Sequence, residues 1–125
     1  MLPVPVRGMC VLTIIIAMST PQLSALETNA LADFAGRTRA RFGPRLVDLR
    51  LFGSRARGEG HAESDLDLLV LVDGLTRDER REVQDLAFDV GCAAKLVLSP
   101  LAQDSRQWRQ DLPLAIAIDR EGVAL

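Results

Sequence analysis

Leu51-Phe52-Gly53-Ser54-Arg55-Ala56-Arg57-Gly58 and, five residues later, Ser64-Asp65-Leu66-Asp67-Leu68-Leu69-Val70 are the stretches that decide how this chain folds. Leu46–Phe52 alternates apolar and polar residues as a strand does, with Val47, Leu49 and Leu51 expected on one face. Gly53-Ser54 turns the chain, and residues 55–64 read as a short helical turn followed by a glycine-bearing loop. Residues 65–72 form a second strand, nearly all apolar after its two acids, which predicts a central place in a sheet. Alternate strand residues share a face, so Asp65 and Asp67 project together, about 7 Å apart. Magnesium takes one or two carboxylates and completes its shell with phosphates and water. Glycine lets a backbone approach an anion closely, and a serine at the start of a turn offers a hydroxyl and an amide to it. Turn and acids together describe a seat for a cation carrying a polyphosphate. Asp-x-Asp alone commonly marks a solvated turn; the pair with ten residues between its parts is far more specific.

The flanks read as alternating helices and strands. Ser19-Thr20-Pro21 offers a helix start, and Leu23, Leu26, Ala30, Leu31 and Phe34 recur at helical spacing to about Arg41, where Gly43-Pro44 stops the run. Arg37, Arg39, Arg41 and Arg45 read as a solvated face, with phosphate steering as the alternative. Thr76 caps a helix over residues 77–90 whose Val83, Leu86, Ala87 and Val90 face inward, and Gly91 is expected to close it. Residues 93–99 are expected as a third strand ended by Ser99-Pro100, then short helices over 101–110 and 113–120, with 123–125 as an edge strand. The order α-β-β-α-β-α-α predicts an α/β (α+β) fold: a small mixed β-sheet with helices packed on it.

The stretch over residues 46–72 closely resembles the minimal nucleotidyltransferases of prokaryotes, members of the DNA polymerase β-like nucleotidyltransferase superfamily. The resemblance implies that fold, with Gly53 and Ser54 on the β and γ phosphates of a nucleoside triphosphate and Asp65 and Asp67 as catalytic residues binding Mg2+. For Arg55 two roles stay open: a charge-assisted contact to the nucleotide, as for Arg57, or a structural ion pair bracing the acids. The family implies transfer of a nucleoside monophosphate, AMP from ATP, to a protein acceptor, with a helical partner toxin as the acceptor and this chain as its antitoxin. No second domain closes over a nucleotide, so pocket walls are expected from another chain or from self-association. One departure matters. Relatives carry a third carboxylate on a neighbouring strand, often in Val-Asp-Leu-Val before Thr-Pro or Ser-Pro. Registering on Ser99-Pro100 puts Leu96 in that slot, and Asp89 is the nearest substitute. The alternative function is therefore a non-catalytic nucleotide-binding or antitoxin-type module.

At 125 residues the chain is expected to hold one domain, over residues 19–125. A net charge of −2 gives no bulk attraction to nucleic acid or an anionic membrane, so affinity for polyphosphate must be local. Cys10 and Cys92 are too few for a disulfide framework, which fits a reduced, cytoplasmic setting; Cys92 is expected in the approach to the third strand. Residues 9–17 form an apolar run behind Arg7, too short to span a membrane. Residues 1–18 read as an upstream-start extension or a weak signal-like segment. His61 lies in the loop beside the phosphate seat and Trp108 is expected to pack on the last helix, with base stacking as its alternative. Leu114-Ala115-Ile116-Ala117-Ile118 is more apolar than one helix face requires, leaving room for a partner surface.

Overall fold

The computed structural model describes residues 23–59 and 65–125. The first helix, α1 (Ala25–Phe42), is entered through Ser24, whose hydroxyl accepts from the Glu27 amide while Glu27 reaches back to the Ser24 amide. The start expected at Ser19-Thr20-Pro21 lies outside the described residues; the capping box sits at Ser24. Ala30, Leu31 and Phe34 face inward as expected and Leu23 packs on the core, but Leu26 is 53% exposed while Glu27 is buried. Gly43 leaves the helix with a positive φ, and a 3-10 turn, Gly43–Arg45, leads into β1 (Leu46–Phe52).

Strand β2 (Leu66–Val72) pairs antiparallel with β1 and parallel with β3 (Leu98–Asp104), and the short β4 (Val123–Ala124) pairs antiparallel with β1. The sheet order β3-β2-β1-β4 makes β2 internal, as its apolar run predicts, and the sheet mixed. A register shift between Leu46 and Asp48 turns Val47 outward, where it is 58% exposed, instead of joining Leu49 and Leu51 in the core. Leu49, Leu51, Leu66, Leu68, Val70 and Val72 line one sheet face beneath Phe34 and Leu31 of α1 and Val83, Ala87 and Val90 of α2 (Arg77–Ala94). The opposite face carries Leu69 and Leu71, covered by Ile118 of α3 (Pro113–Glu121), with Phe52, Leu101 and Trp108 packed around them. Trp108 is thus a packing residue on the last helix.

Three expectations beyond β2 are corrected. Helix α2 does not close at Gly91 but continues to Ala94 and ends on Lys95 in the left-handed conformation. Gly91 is there for space, since a Cβ on it would stand 2.6 Å from the Leu96 carbonyl oxygen as the chain doubles back. Cys92 accordingly lies on the exposed surface of α2 and not in the approach to a strand. The third strand starts at Leu98 and runs through Ser99-Pro100 to Asp104 in place of the strand expected over 93–99, and the helix expected over 101–110 does not form, residues 105–110 being turn and loop. Proline lacks the N–H that a ladder needs, but β3 is an edge strand, where that loss is tolerated. Full parallel pairing from Leu66↔Leu98 to Val72↔Asp104 then outweighs local helix propensity.

The arginines of α1 are mostly engaged. Arg41 contacts Glu82 at 2.7 Å, and Arg45 contacts Glu79 at 2.8 Å, so the end of α1 is tied to the start of α2. Glu79 also bonds the Thr76 amide in a second capping box. The hydrogen bond from Arg45, then the Thr76 amide, hold its carboxyl down to about 2. No helix among the described residues is long and apolar enough to cross a membrane.

Candidate active site

The turn after β1 is built on Gly53, whose φ of 80° is open to glycine and strained for other residues. Its carbonyl accepts from the amides of Ala56 and Arg57, and the Ser54 carbonyl accepts from Glu59, so residues 53–59 coil back tightly. Ala56 is fully buried and pins the underside of this coil to the core. In a tight turn of this kind the leading amides precede the internal hydrogen bonds, an arrangement that suits an anion.

Asp67 pairs with Phe52 across the β1–β2 ladder and points to the sheet face away from α1 and α2. Its carboxylate lies directly against the turn: a Cβ on Gly53 would stand only 2.4 Å from Asp67 Oδ2. Glycine is needed here twice, for the backbone angle and for the space. Asp65, exposed and one residue before β2, is close enough for its charge to act on Asp67. The Asp67 carboxyl is held above the ordinary range, first by burial and then by the charge on Asp65. A half-buried carboxylate with a second anion nearby carries an electrostatic cost that a bound cation would relieve. Gly53 and Asp67 are therefore brought together, with Asp65 near enough for its charge to be felt at Asp67. His61 lies outside the described residues.

Arg55 meets a partner that the sequence did not suggest. Its guanidinium is buried and holds both carboxylate oxygens of Glu27, at 2.7 and 2.9 Å. Arg55 thus forms an ion pair with Glu27, a partner other than the acids expected from the sequence. Burial would push the Glu27 carboxyl up, but the Ser24 amide and Arg55 outweigh it and hold it below the usual range. Arg57 is shared between Glu59 and Glu121, each at 3.3 Å. Glu27 is the residue that sequence reasoning missed. Ser24-Ala25-Leu26-Glu27 is a capping-box signature, legible in the sequence, but nothing in that signature announces a second partner 28 residues away.

The neighbouring strand supplies no carboxylate to this face. Asp67 is in register with Ser99, and the Leu66 amide bonds the Val97 carbonyl, so the residues flanking the acids are Ser99 and Val97. Leu96, the slot expected from Ser99-Pro100, packs instead against the main core. Asp89 is on α2, which covers the opposite sheet face, and does not approach Asp67. Among the described residues no cluster of three or more acids, histidines or cysteines could hold a metal.

Residues 31–102 match the family described as nucleotidyltransferase domain, and the chain belongs to that family. It is 31% identical over 81 residues to MJ1305 of Methanocaldococcus jannaschii, a candidate protein adenylyltransferase; the match covers 62% of this chain, which spans 55% of that protein. A solved structure described as a minimal nucleotidyltransferase aligns with a TM-score of 0.55 and 30% identity, over 82% of this chain and 97% of that one. A toxin–antitoxin crystal structure with AMP-PNP aligns with a TM-score of 0.53 and 25% identity, over 73% and 68% of the two chains.

Proposed function

We propose that this chain is a Mg2+-dependent nucleotidyltransferase that moves AMP from ATP onto a protein acceptor, a partner toxin. The observation that carries the reading is the contact of the Asp67 carboxylate with Gly53, which joins the acidic pair to the phosphate-binding turn. The donor set fits a hard divalent cation, because the Asp67 carboxyl is raised in pKa by burial and by the charge of the nearby Asp65 carboxylate. Asp65 and Asp67 would hold the metal, and when bound it would neutralise charge on the phosphates and the departing pyrophosphate. Gly53 admits the phosphates close to the backbone, while the Ser54 hydroxyl and the amides of the turn orient them. In the transfer an acceptor hydroxyl oxygen bonds to the α-phosphorus, the bond to the bridging oxygen breaks, and pyrophosphate leaves. The choice of AMP and of a protein acceptor is supported by MJ1305 and by the toxin–antitoxin structure with AMP-PNP. A cytoplasmic setting, where ATP is available, belongs to the same proposal.

One observation favours a second reading, a module that binds nucleotide and partner without transferring anything. Val97 and Ser99 stand where a third carboxylate would help take the acceptor's proton. The two readings separate in one assay. The protein is incubated with the product of a neighbouring gene, ATP labelled at the α-phosphate, and magnesium. Covalent label on the partner that vanishes in Asp67→Asn supports transfer. Inhibition of the partner with no label supports the module and refutes the enzyme.

A further inference from the structure

Glu27 is a charged residue only 2% exposed, on a different element from the acids that define the site. Burying a lone carboxylate costs several kcal/mol, so a buried one is retained with partners that satisfy it. Here Oε1 accepts from the Ser24 amide at 2.8 Å, and both oxygens accept from Arg55 Nη2. The second contact is not needed for capping, which Ser24 and Glu27 complete between themselves. Arg55 follows Ser54 directly, and the next residue, Ala56, is fully buried. The backbone after Ser54 is thereby fastened at two successive side chains, one to the core and one to the first turn of α1. The turn in question must hold its place against Asp67, with no room even for a methyl group between them.

We infer that Glu27 is a positioning residue for the nucleotide site: through Arg55 it fixes the Gly53-Ser54 turn at the spacing from Asp67 that a metal-bound triphosphate requires. This rests on the nucleotide reading given above and adds to it a residue on a different element. The electrostatic sign makes the inference sharp. Removing an anion near a polyphosphate seat should by charge alone tighten binding. Loss of positioning should weaken it, since small misplacements of binding groups carry large penalties.

The test uses Glu27→Gln, which keeps an N3 side chain able to complete the capping box but loses the charge partner. Because a buried unpaired guanidinium can itself unfold a protein, the double variant Glu27→Gln/Arg55→Met removes both charges together. Ser24→Ala is the control: it weakens the cap and leaves the Glu27–Arg55 pair. Binding of Mg-ATP and of magnesium tripolyphosphate is measured by calorimetry, with the fold checked by circular dichroism. The expected result is about a tenfold or greater loss for both ligands in the folded Glu27 variants, and unchanged affinity in Ser24→Ala with a lower melting temperature. Unchanged or tighter binding in the folded double variant overturns the positioning role while leaving the nucleotide site standing. No binding of either ligand by the wild-type chain overturns the site itself, and the positioning role with it.

Discussion

Gly53→Ala tests the central contact, and Gly74→Ala supplies its internal standard. Both glycines have positive φ, 80° and 69°, so alanine at either should cost about 1–2 kcal/mol in backbone strain. They differ in what the new methyl meets. At Gly74 the nearest atoms belong to the mobile end of Arg106, 3.9 Å away, and nothing need shift. At Gly53 the methyl would overlap Asp67 Oδ2 at 2.4 Å, roughly 1 Å inside ordinary contact. Relief requires the carboxylate or the turn to move, and overpacking of this kind adds about 1–3 kcal/mol. We therefore expect destabilisation of about 1–2 kcal/mol for Gly74→Ala and about 2–5 kcal/mol for Gly53→Ala. The two are compared by urea denaturation, followed by calorimetry with Mg-ATP. Gly74→Ala should bind as the wild type does; Gly53→Ala should lose tenfold or more in affinity, even at temperatures where it is fully folded. Equal destabilisation and equal binding in the two variants would refute the claim that the turn and Asp67 form one unit.

Three further outcomes follow from the charges. Asp67→Asn removes a carboxyl whose pKa is raised in the fold; such a group, when ionised, weighs against folding above that pKa, so at neutral pH the variant should melt higher than wild type while losing Mg-ATP binding. A lower melting temperature would contradict the strain assigned to the acidic pair. Ser99→Asp adds an anion beside Asp67, and should lower the melting temperature without magnesium and recover part of it when magnesium is added, as read by differential scanning fluorimetry with and without the metal. Glu79 has its pKa depressed from 4.5 to about 2, so its stabilising pairing is complete above the unfolded value and is lost as pH falls toward the folded one. Glu79→Gln should flatten the acid denaturation profile between about pH 4.5 and pH 2 relative to wild type. An unchanged profile there would show that the tie between α1 and α2 contributes little.

Much of the site was legible because its signals are local. A glycine before serine, two acids at strand spacing and an apolar run after them all state their conformations within a few residues. The bounds of β1 and the start of α2 at Thr76 follow from the same kind of cue. Between Gly91 and Gln110 the cues competed with tertiary pairing and lost. Ser99-Pro100 reads as a stop in isolation, yet β3 carries both residues because its outer edge asks nothing of the proline nitrogen. Gly91 reads as a helix end, but the Leu96 carbonyl passing close by is what excludes a side chain there. Glu27 was hidden for a third reason: an acid at helical spacing looks like surface unless its buried counter-ion is known, and that counter-ion arrives 28 residues later.

The parallel register of β2 with β3 sets where an ancestor or a descendant of this chain could carry a further acid. On the approach to β3, Leu96 packs half-buried against the main core while Val97 and, at the strand's start, Ser99 are exposed. An anion installed at 96 would be driven into oil and would threaten folding before it could serve chemistry. The same mutation one step along the chain meets solvent and the existing acids. A one-residue shift in alignment, trivial on paper, thus separates a change that natural variation can explore from one it cannot.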